Sequence, residues 1–233
     1  TRGAMSPAYP WQLAQINSEP RYFPMPAPEF LVIISEMFSQ NTFIAYGGET
    51  GRCLVFDPGL QPGDIIQALE AEDLQPSMIL ITHGHADHIG GVSALKERWP
   101  ECPIVVGQGD AEKLVNAELN LSAGYGMPVT TPPADRCVVH GETIEAAGFT
   151  LEVRDTPGHS QGHVSFLFLA NDPAMVISGD VLFQGSVGRV DFPDGDFDTL
   201  VQSIREQLFT LPDDTIVLPG HGPATTVGHE KKF

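Results

Sequence analysis

Four side chains able to bind a metal fall within six residues in His83-Gly84-His85-Ala86-Asp87-His88, directly after the apolar run Ile79-Leu80-Ile81 and Thr82. A short apolar run bounded by turn residues reads as a buried strand. The chain must therefore fold so that a core strand ends at a polar cluster. His83 and His85, two apart, can project the same way from extended backbone, whereas the adjacent Asp87 and His88 must diverge. That split suits two neighbouring metal ions better than one.

Other candidate ligands stand in the same kind of setting, where a strand runs out into a turn beside glycine. His159 lies in Thr156-Pro157-Gly158-His159, Asp180 in Ser178-Gly179-Asp180, and His221 in Pro219-Gly220-His221-Gly222. Glycine lets the backbone turn sharply, which a site assembled from several strand ends requires. His163, four residues after His159, reads as a packing or buttressing residue rather than a ligand. Asp57, in Asp57-Pro58-Gly59, either orients a ligand imidazole or only shapes its turn. His140 and His229 are expected to face solvent.

The chain has 233 residues, enough to bury a sizeable core, and carries 12 basic against 30 acidic residues for a formal charge of −18. So acidic a surface repels phosphate backbones and anionic lipid headgroups, which argues against nucleic acid and membrane as partners. The longest apolar runs are too short to span a bilayer. Cys53, Cys102 and Cys137 are odd in number and lie far apart, so they read as reduced, buried thiols of a cytoplasmic protein.

Residues 1–28 contain six prolines and read as an extended N-terminal arm. Strand-like runs follow at Phe30 to Met37, Thr42 to Tyr46, Cys53 to Phe56 and Met78 to Thr82. Asp64 is a candidate cap for a helix carrying Ile65, Ile66 and Leu69. A helix on Val92 and Leu95, a strand from Pro103 to Gly107 and a helical pattern from Ala111 to Leu119 come next. After a Gly-, Pro- and Thr-rich loop at 122–135, strands return at Cys137 to His140, Phe149 to Asp155, Val164 to Leu169 and Met175 to Ser178. A last helix carries an apolar stripe of Phe197, Leu200, Val201, Ile204 and Leu208, and Thr215 to Leu218 is the final strand. Two sheet-and-helix halves packed face to face account for this pattern.

His-x-His-x-Asp-His at 83–88, followed by His159, Asp180 and His221, resembles the signature of the metallo-β-lactamase fold superfamily, and the likeness runs from Phe30 to about His221. The resemblance implies an α/β fold, a four-layer αββα sandwich, with residues 29–233 as one catalytic domain and the site at one sheet edge. It further implies that His83, His85 and His159 hold one metal, that Asp87, His88 and His221 hold a second, and that Asp180 bridges them. Zinc is the first expectation for these two divalent ions, with iron or manganese as alternatives. Asp87 and Asp180 would then serve catalysis by holding a metal-bridging hydroxide as nucleophile.

The wording from Gly179 through Gly185-Ser186-Val187-Gly188-Arg189 to Asp196, and that from His221 to Glu230, is similar to the short single-domain branch of glyoxalase II-type hydroxyacylglutathione hydrolases. Zinc β-lactamases carry cysteine or serine at the Asp180 position, which sets this chain apart from them. The likeness implies hydrolysis of a glutathione thioester such as S-D-lactoylglutathione. Arg189 would pair with the glutathione carboxylate, or alternatively with Asp191 or Asp194. Larger members add a C-terminal helical domain with further basic contacts, for which this chain leaves no room, so a different thioester is also in view. Two rivals share the ligand set: a persulfide dioxygenase with one iron on His83, His159 and Asp180, and a lactonase. A binding protein without catalysis is the weakest reading, because no ligand is missing.

Overall fold

The computed structural model describes residues 27–169 and 171–232. Most of the expected N-terminal arm lies outside that range, and Ala27 and Pro28 lead straight into the first strand.

Six strands form the first sheet in chain order: β1 (Glu29–Ile34), β2 (Asn41–Tyr46), β3 (Arg52–Phe56), β4 (Gln75–Ile81), β5 (Ile104–Gly107) and β6 (Arg136–Val138). β1 to β3 are antiparallel, as short hairpin connections allow, whereas β3 to β6 run parallel. Parallel neighbours need crossovers; β3 reaches β4 through α1 (Pro62–Ala71), and β4 reaches β5 through the short α2 (Ala86–Ile89) and α3 (Val92–Arg98).

The second sheet takes β7 (Thr143–Ala146), β8 (Phe149–Asp155), β9 (Val164–Phe168) and β10 (Met175–Gly179), and, after a small hairpin of β11 (Leu182–Phe183) and β12 (Ser186–Val187), β13 (Ile216–Pro219) and β14 (Thr225–Thr226). Its order is β14-β13-β10-β9-β8-β7, and only β10 and β13 are parallel. Their crossover is α4 (Phe197–Ser203), which continues as a wider π turn over Ile204–Leu208. Asp196 caps α4 by accepting the Thr199 N–H at 2.7 Å. The last helix is α5 (Val227–Glu230).

Strand alternation explains the four layers. Leu80 and Val105 face inward and meet Phe166, Phe168, Ile177 and Leu218 of the other sheet. Their neighbours Ile79, Ile81, Ile104 and Val106 face outward beneath Ile65, Leu69, Val92 and Leu95 of the helices. A strand buried on both faces loses its polar alternation, and so the text around Ile79 is uninterruptedly apolar. On the far side Val176 and Val217 pack under Leu200, Ile204 and Leu208. The result is the αββα arrangement expected from the resemblance.

Several local expectations are corrected. β1 stops at Ile34 because the chain turns, with Ser39 at φ 54°. Gln61, not Asp64, sits at the head of α1; Pro62 takes the first helical position and Asp64 lies in the first turn. The helix expected from Ala111 to Leu119 is a 3₁₀ segment over Gln108–Val115, with Asp110, Lys113 and Leu114 buried. Phe197 leaves the apolar stripe and is 56% exposed. Among the short elements, α2, α5, β7, β11, β12 and β14 carry too little periodicity to be read in advance.

Cys53 and Cys102 are buried but Cys137 is exposed, which corrects the reading of three buried thiols. Burial pushes Cys53 up to about 12 and Cys102 up to about 11. A raised pKa keeps a thiol protonated and unreactive at ordinary pH. Native protein at pH 8 should therefore take up one equivalent of a thiol reagent, at Cys137, and release the other two thiols only in denaturant. Fast labelling of Cys53 or Cys102 in the native state would contradict the described core.

Candidate metal centre

β4 ends against the second sheet, and the chain there turns from strand to the single-turn helix α2 within five residues. His83 follows the strand end, His85 heads α2 in extended conformation, and Asp87 and His88 ride on it. The second sheet delivers the other candidates from the parallel ends of β10 and β13: Asp180 after β10 and His221 after β13. His159 comes from the turn between β8 and β9. Gly179, at φ 51°, makes the first of these turns; a Cβ there would lie 2.5 Å from Thr82 Oγ1 and 2.6 Å from His163 Nε2. Only glycine fits both that backbone and that space.

All seven expected ligands converge, and their candidate ligand atoms group as His83/His85/His159, His83/His88/Asp180 and Asp87/His88/His221, each within 4.8 Å. Asp180 stands between the sets. Its Oδ1 is 3.4 Å from His88 Nε2, and its Oδ2 is 3.6 Å from His159 Nε2 and 3.4 Å from His221 Nε2. Asp87 Oδ2 lies 3.3 Å from His221 Nε2, and His85 Nδ1 faces His159 Nε2 at 3.0 Å.

Four of the five imidazoles are held from behind. His88 Nδ1 meets Asp57 Oδ2 at 3.0 Å, and the same carboxylate accepts the Thr82 N–H and Oγ1–H, both at 2.7 Å. Because Thr82 Oγ1 spends its proton on Asp57, it can only accept from His83 Nδ1, 3.1 Å away. His159 Nδ1 donates to the Arg189 carbonyl at 2.7 Å and His221 Nδ1 to the Phe38 carbonyl at 3.0 Å. In all four rings Nδ1 is engaged from behind and Nε2, the nitrogen left to ligate, is turned inward. Asp57 thus contacts a candidate ligand imidazole as well as shaping its turn; its φ of 47° is a left-handed conformation that aspartate tolerates.

Within this centre the buried Nε2 atoms of His83, His85 and His88 and Oδ1 of Asp180 have no hydrogen-bond partner. Buried polar atoms are almost always satisfied, so four orphans around one point are what a cation-binding site offers, and nitrogen with carboxylate oxygen suits zinc or iron. The charges agree. Burial drives His83 well below the usual imidazole range and takes His85 down to about 3; a neutral imidazole is the form that ligates. Burial also opposes charge on His88 and His221, but Asp180 and Asp87 outweigh it, holding His88 well above its usual value and His221 at about 9. The same pairing outweighs burial at Asp180 and keeps that carboxyl well below its usual range. Protons on His88 and His221 thus balance the carboxylates where cations would otherwise do so.

His163 is not among the converging atoms. Its Nε2 accepts the Asp180 N–H at 3.1 Å and its Nδ1 pairs with Thr156 Oγ1 at 2.9 Å, so it buttresses the turn that carries Asp180. Arg189 lines the cavity in front of the ligands but forms a double hydrogen bond with Asp191, at 2.6 Å on both arms, and lies 4.4 Å above the Phe192 ring. The Asp191 pairing is therefore the one present. His140 and His229 are exposed, as expected. The cavity, of about 350 Å³, is walled by Phe38, Tyr125, Phe183 and Phe192, which sequence reasoning did not single out. Nothing local marks them; three separate segments bring them together.

A family model described as the metallo-beta-lactamase superfamily matches residues 36–221. The chain is 44% identical over 177 residues to the probable metallo-hydrolase YqgX of Bacillus subtilis, covering 76% of this chain and 82% of that one. It is 37% identical over 198 residues to the hydroxyacylglutathione hydrolase GloC of Haemophilus influenzae, covering 84% and 91%. Among solved structures, the BLEG-1 B3 metallo-beta-lactamase superposes with a TM-score of 0.83 at 37% identity, covering 88% and 97% of the two chains. The di-iron-bound form of TTHA1623 gives a TM-score of 0.75 at 34% identity, covering 87% and 97%. No described helix is long and apolar enough to cross a membrane.

If Asp57 orients His88, then Asp57→Ala should weaken uptake of one metal on the order of 10- to 100-fold, measured by competition with a chromophoric chelator. Unchanged affinity in a folded variant would remove that role.

Proposed function

The chain belongs to the metallo-beta-lactamase superfamily, and from that membership we propose that it is a dinuclear metal-dependent hydrolase of glutathione-derived thioesters of the S-D-lactoylglutathione kind. The observation that carries this reading is the position of Asp180, whose two oxygens face both ligand sets. A GloC relative aligned over 91% of its length supports the substrate class.

In this reading His83, His85 and His159 hold one ion, Asp87, His88 and His221 the other, and Asp180 both. Two divalent ions would supply Lewis acidity and bring the pKa of a coordinated water near neutrality, so that it can add to a thioester carbonyl. The chain's own contribution is geometric. Asp57, Thr82 and the carbonyls of Arg189 and Phe38 fix four imidazoles before any ion arrives, which lowers the cost of assembling the site. Asp87 and Asp180, held ionised by the neighbouring histidines, would leave two bound divalent ions with a net positive charge. The aromatic walls exclude water from the reacting carbonyl and favour an apolar acyl or thiol portion.

Among the described residues lining the cavity, Arg189 is the one arginine or lysine. It is held by Asp191 at the cavity mouth, so an anionic substrate must compete for it. Removing Asp191 as Asn should lower KM for an acidic thioester, and Arg189→Ala should raise it, both with little effect on kcat.

Zinc and iron both suit this ligand set, and the di-iron-bound relative favours iron. A second reading, β-lactam hydrolysis, is favoured by the 37%-identical BLEG-1 structure, against the expectation drawn from Asp180. The deciding experiment is metal analysis joined to one panel: S-D-lactoylglutathione, glutathione persulfide with oxygen uptake, a lactone and a β-lactam. We expect two metals and thioester hydrolysis, with His88→Ala losing at least a hundredfold in kcat, on the order expected for a disrupted metal site. One iron per chain with persulfide-dependent oxygen uptake, or β-lactam turnover without thioesterase activity, would sink the assignment.

A further inference from the structure

Beside the ligands, and outside the cavity lining, lies a second polar cluster that plays no part in the account above. Asp110 is fully buried, as is Ser160, and Lys113 is 7% exposed. Asp110 accepts the Gly84 N–H at 2.7 Å, the Gly162 N–H at 2.8 Å and the Ser160 hydroxyl at 2.7 Å. Lys113 Nζ lies 3.1 Å from Asp110 Oδ1 and 2.6 Å from Asp194 Oδ2, and it hydrogen-bonds Ser160 Oγ. Asp194 in turn accepts the Gln161 N–H at 3.1 Å.

The recipients of these bonds are informative. Gly84 separates His83 from His85, Ser160 follows His159, and Asp194 belongs to the loop that carries Arg189 and Phe192. The backbones are close-packed as well: a Cβ on Gly84 would lie 2.5 Å from Lys113 Cβ, and one on Gly162 would lie 2.2 Å from the Asp110 nitrogen. A buried ion pair of this kind contributes little net stability compared with apolar packing. Here its hydrogen bonds go to loop amides and loop side chains beside ligands, not to strands or helices.

We propose that Asp110 is a positioning residue for the metal centre. Through the Gly84 and Gly162 amides and the Ser160 hydroxyl it sets the separation of His85 from His159, and Lys113 extends the same restraint to the cavity loop through Asp194. The inference rests on His83, His85 and His159 being metal ligands but not on the choice of substrate. Loss of the Asp110 charge frees the two loops to drift apart, which opens the His83/His85/His159 group while Asp87, His88 and His221 keep their own supports.

The test is stepwise metal binding by purified full-length protein, read by chelator competition with zinc and by the absorption of the cobalt-loaded form. Asp110→Asn should weaken one of two binding steps on the order of 10- to 100-fold and shift one set of cobalt bands, leaving the other step and set in place. Ser160→Ala should move the same step in the same direction by less. Both variants should keep near-parental thermal unfolding in the metal-free form. Should Asp110→Asn fail to fold, Ser160→Ala decides: a selective weakening upholds the proposal and parental binding overturns it. Two unchanged steps in folded Asp110→Asn, or both weakened alike, would overturn the positioning role alone. A parental protein that takes up no metal would overturn the metal reading and this inference with it.

Discussion

The carboxylate of Asp57 accepts the backbone N–H and hydroxyl of Thr82 and faces the Nδ1 of His88, all within 3.0 Å and away from solvent. It therefore joins the end of β3, the end of β4 and the helix α2 at one point. A buried carboxylate is tolerable only when its lone pairs are taken up, and here every donor that takes them up also aims a ligand. The contact between His88 Nδ1 and Asp57 turns the other ring nitrogen, Nε2, toward the centre. Thr82 passes the same constraint to His83. The alignment of the site is thus a consequence of satisfying one buried acid, and the turn that allows it is the left-handed backbone at Asp57 itself.

What was legible in the sequence follows from how local its cause is. The apolar run before His83 reads as a doubly covered strand because both faces of β4 are covered, and glycine beside His159, Asp180 and His221 announces turns at strand ends. Those are properties of a few consecutive residues. Asp57 was ambiguous because Asp-Pro-Gly makes a turn whether or not a histidine waits 31 positions on. Lys113 reads as part of an ordinary helical pattern and Asp110 is not singled out, since nothing nearby tells that their partners lie about 50 and 80 residues later. Phe197 and Cys137 erred for the same reason: an apolar side chain is buried only if something arrives to cover it.

The protein carries a strong negative charge, yet in the proposed reading its site holds cations and acts on an anionic substrate class. The two are compatible because the charges are layered. Asp87 and Asp180 sit within the centre and attract cations, while in front of them the cavity walls are aromatic and Arg189 is already matched by Asp191. Recognition there depends on shape and apolar contact near the reacting atoms, with charge confined to the rim.

The site also closes a seam. Asn41, at the start of β2, donates its side-chain amide to the carbonyls of Pro219 and Gly222 and its backbone N–H to Gly220, and His221 reaches back to Phe38. These contacts join chain positions about 180 residues apart. On a ribosome the cluster at 83–88 emerges long before its partners, and contacts of such sequence separation form late. A nascent chain therefore offers incoming metal ions only an incomplete set of ligands. Full coordination becomes available when the second sheet has docked, so that holding the metal tightly is a property of the finished protein and a record that its two halves have met.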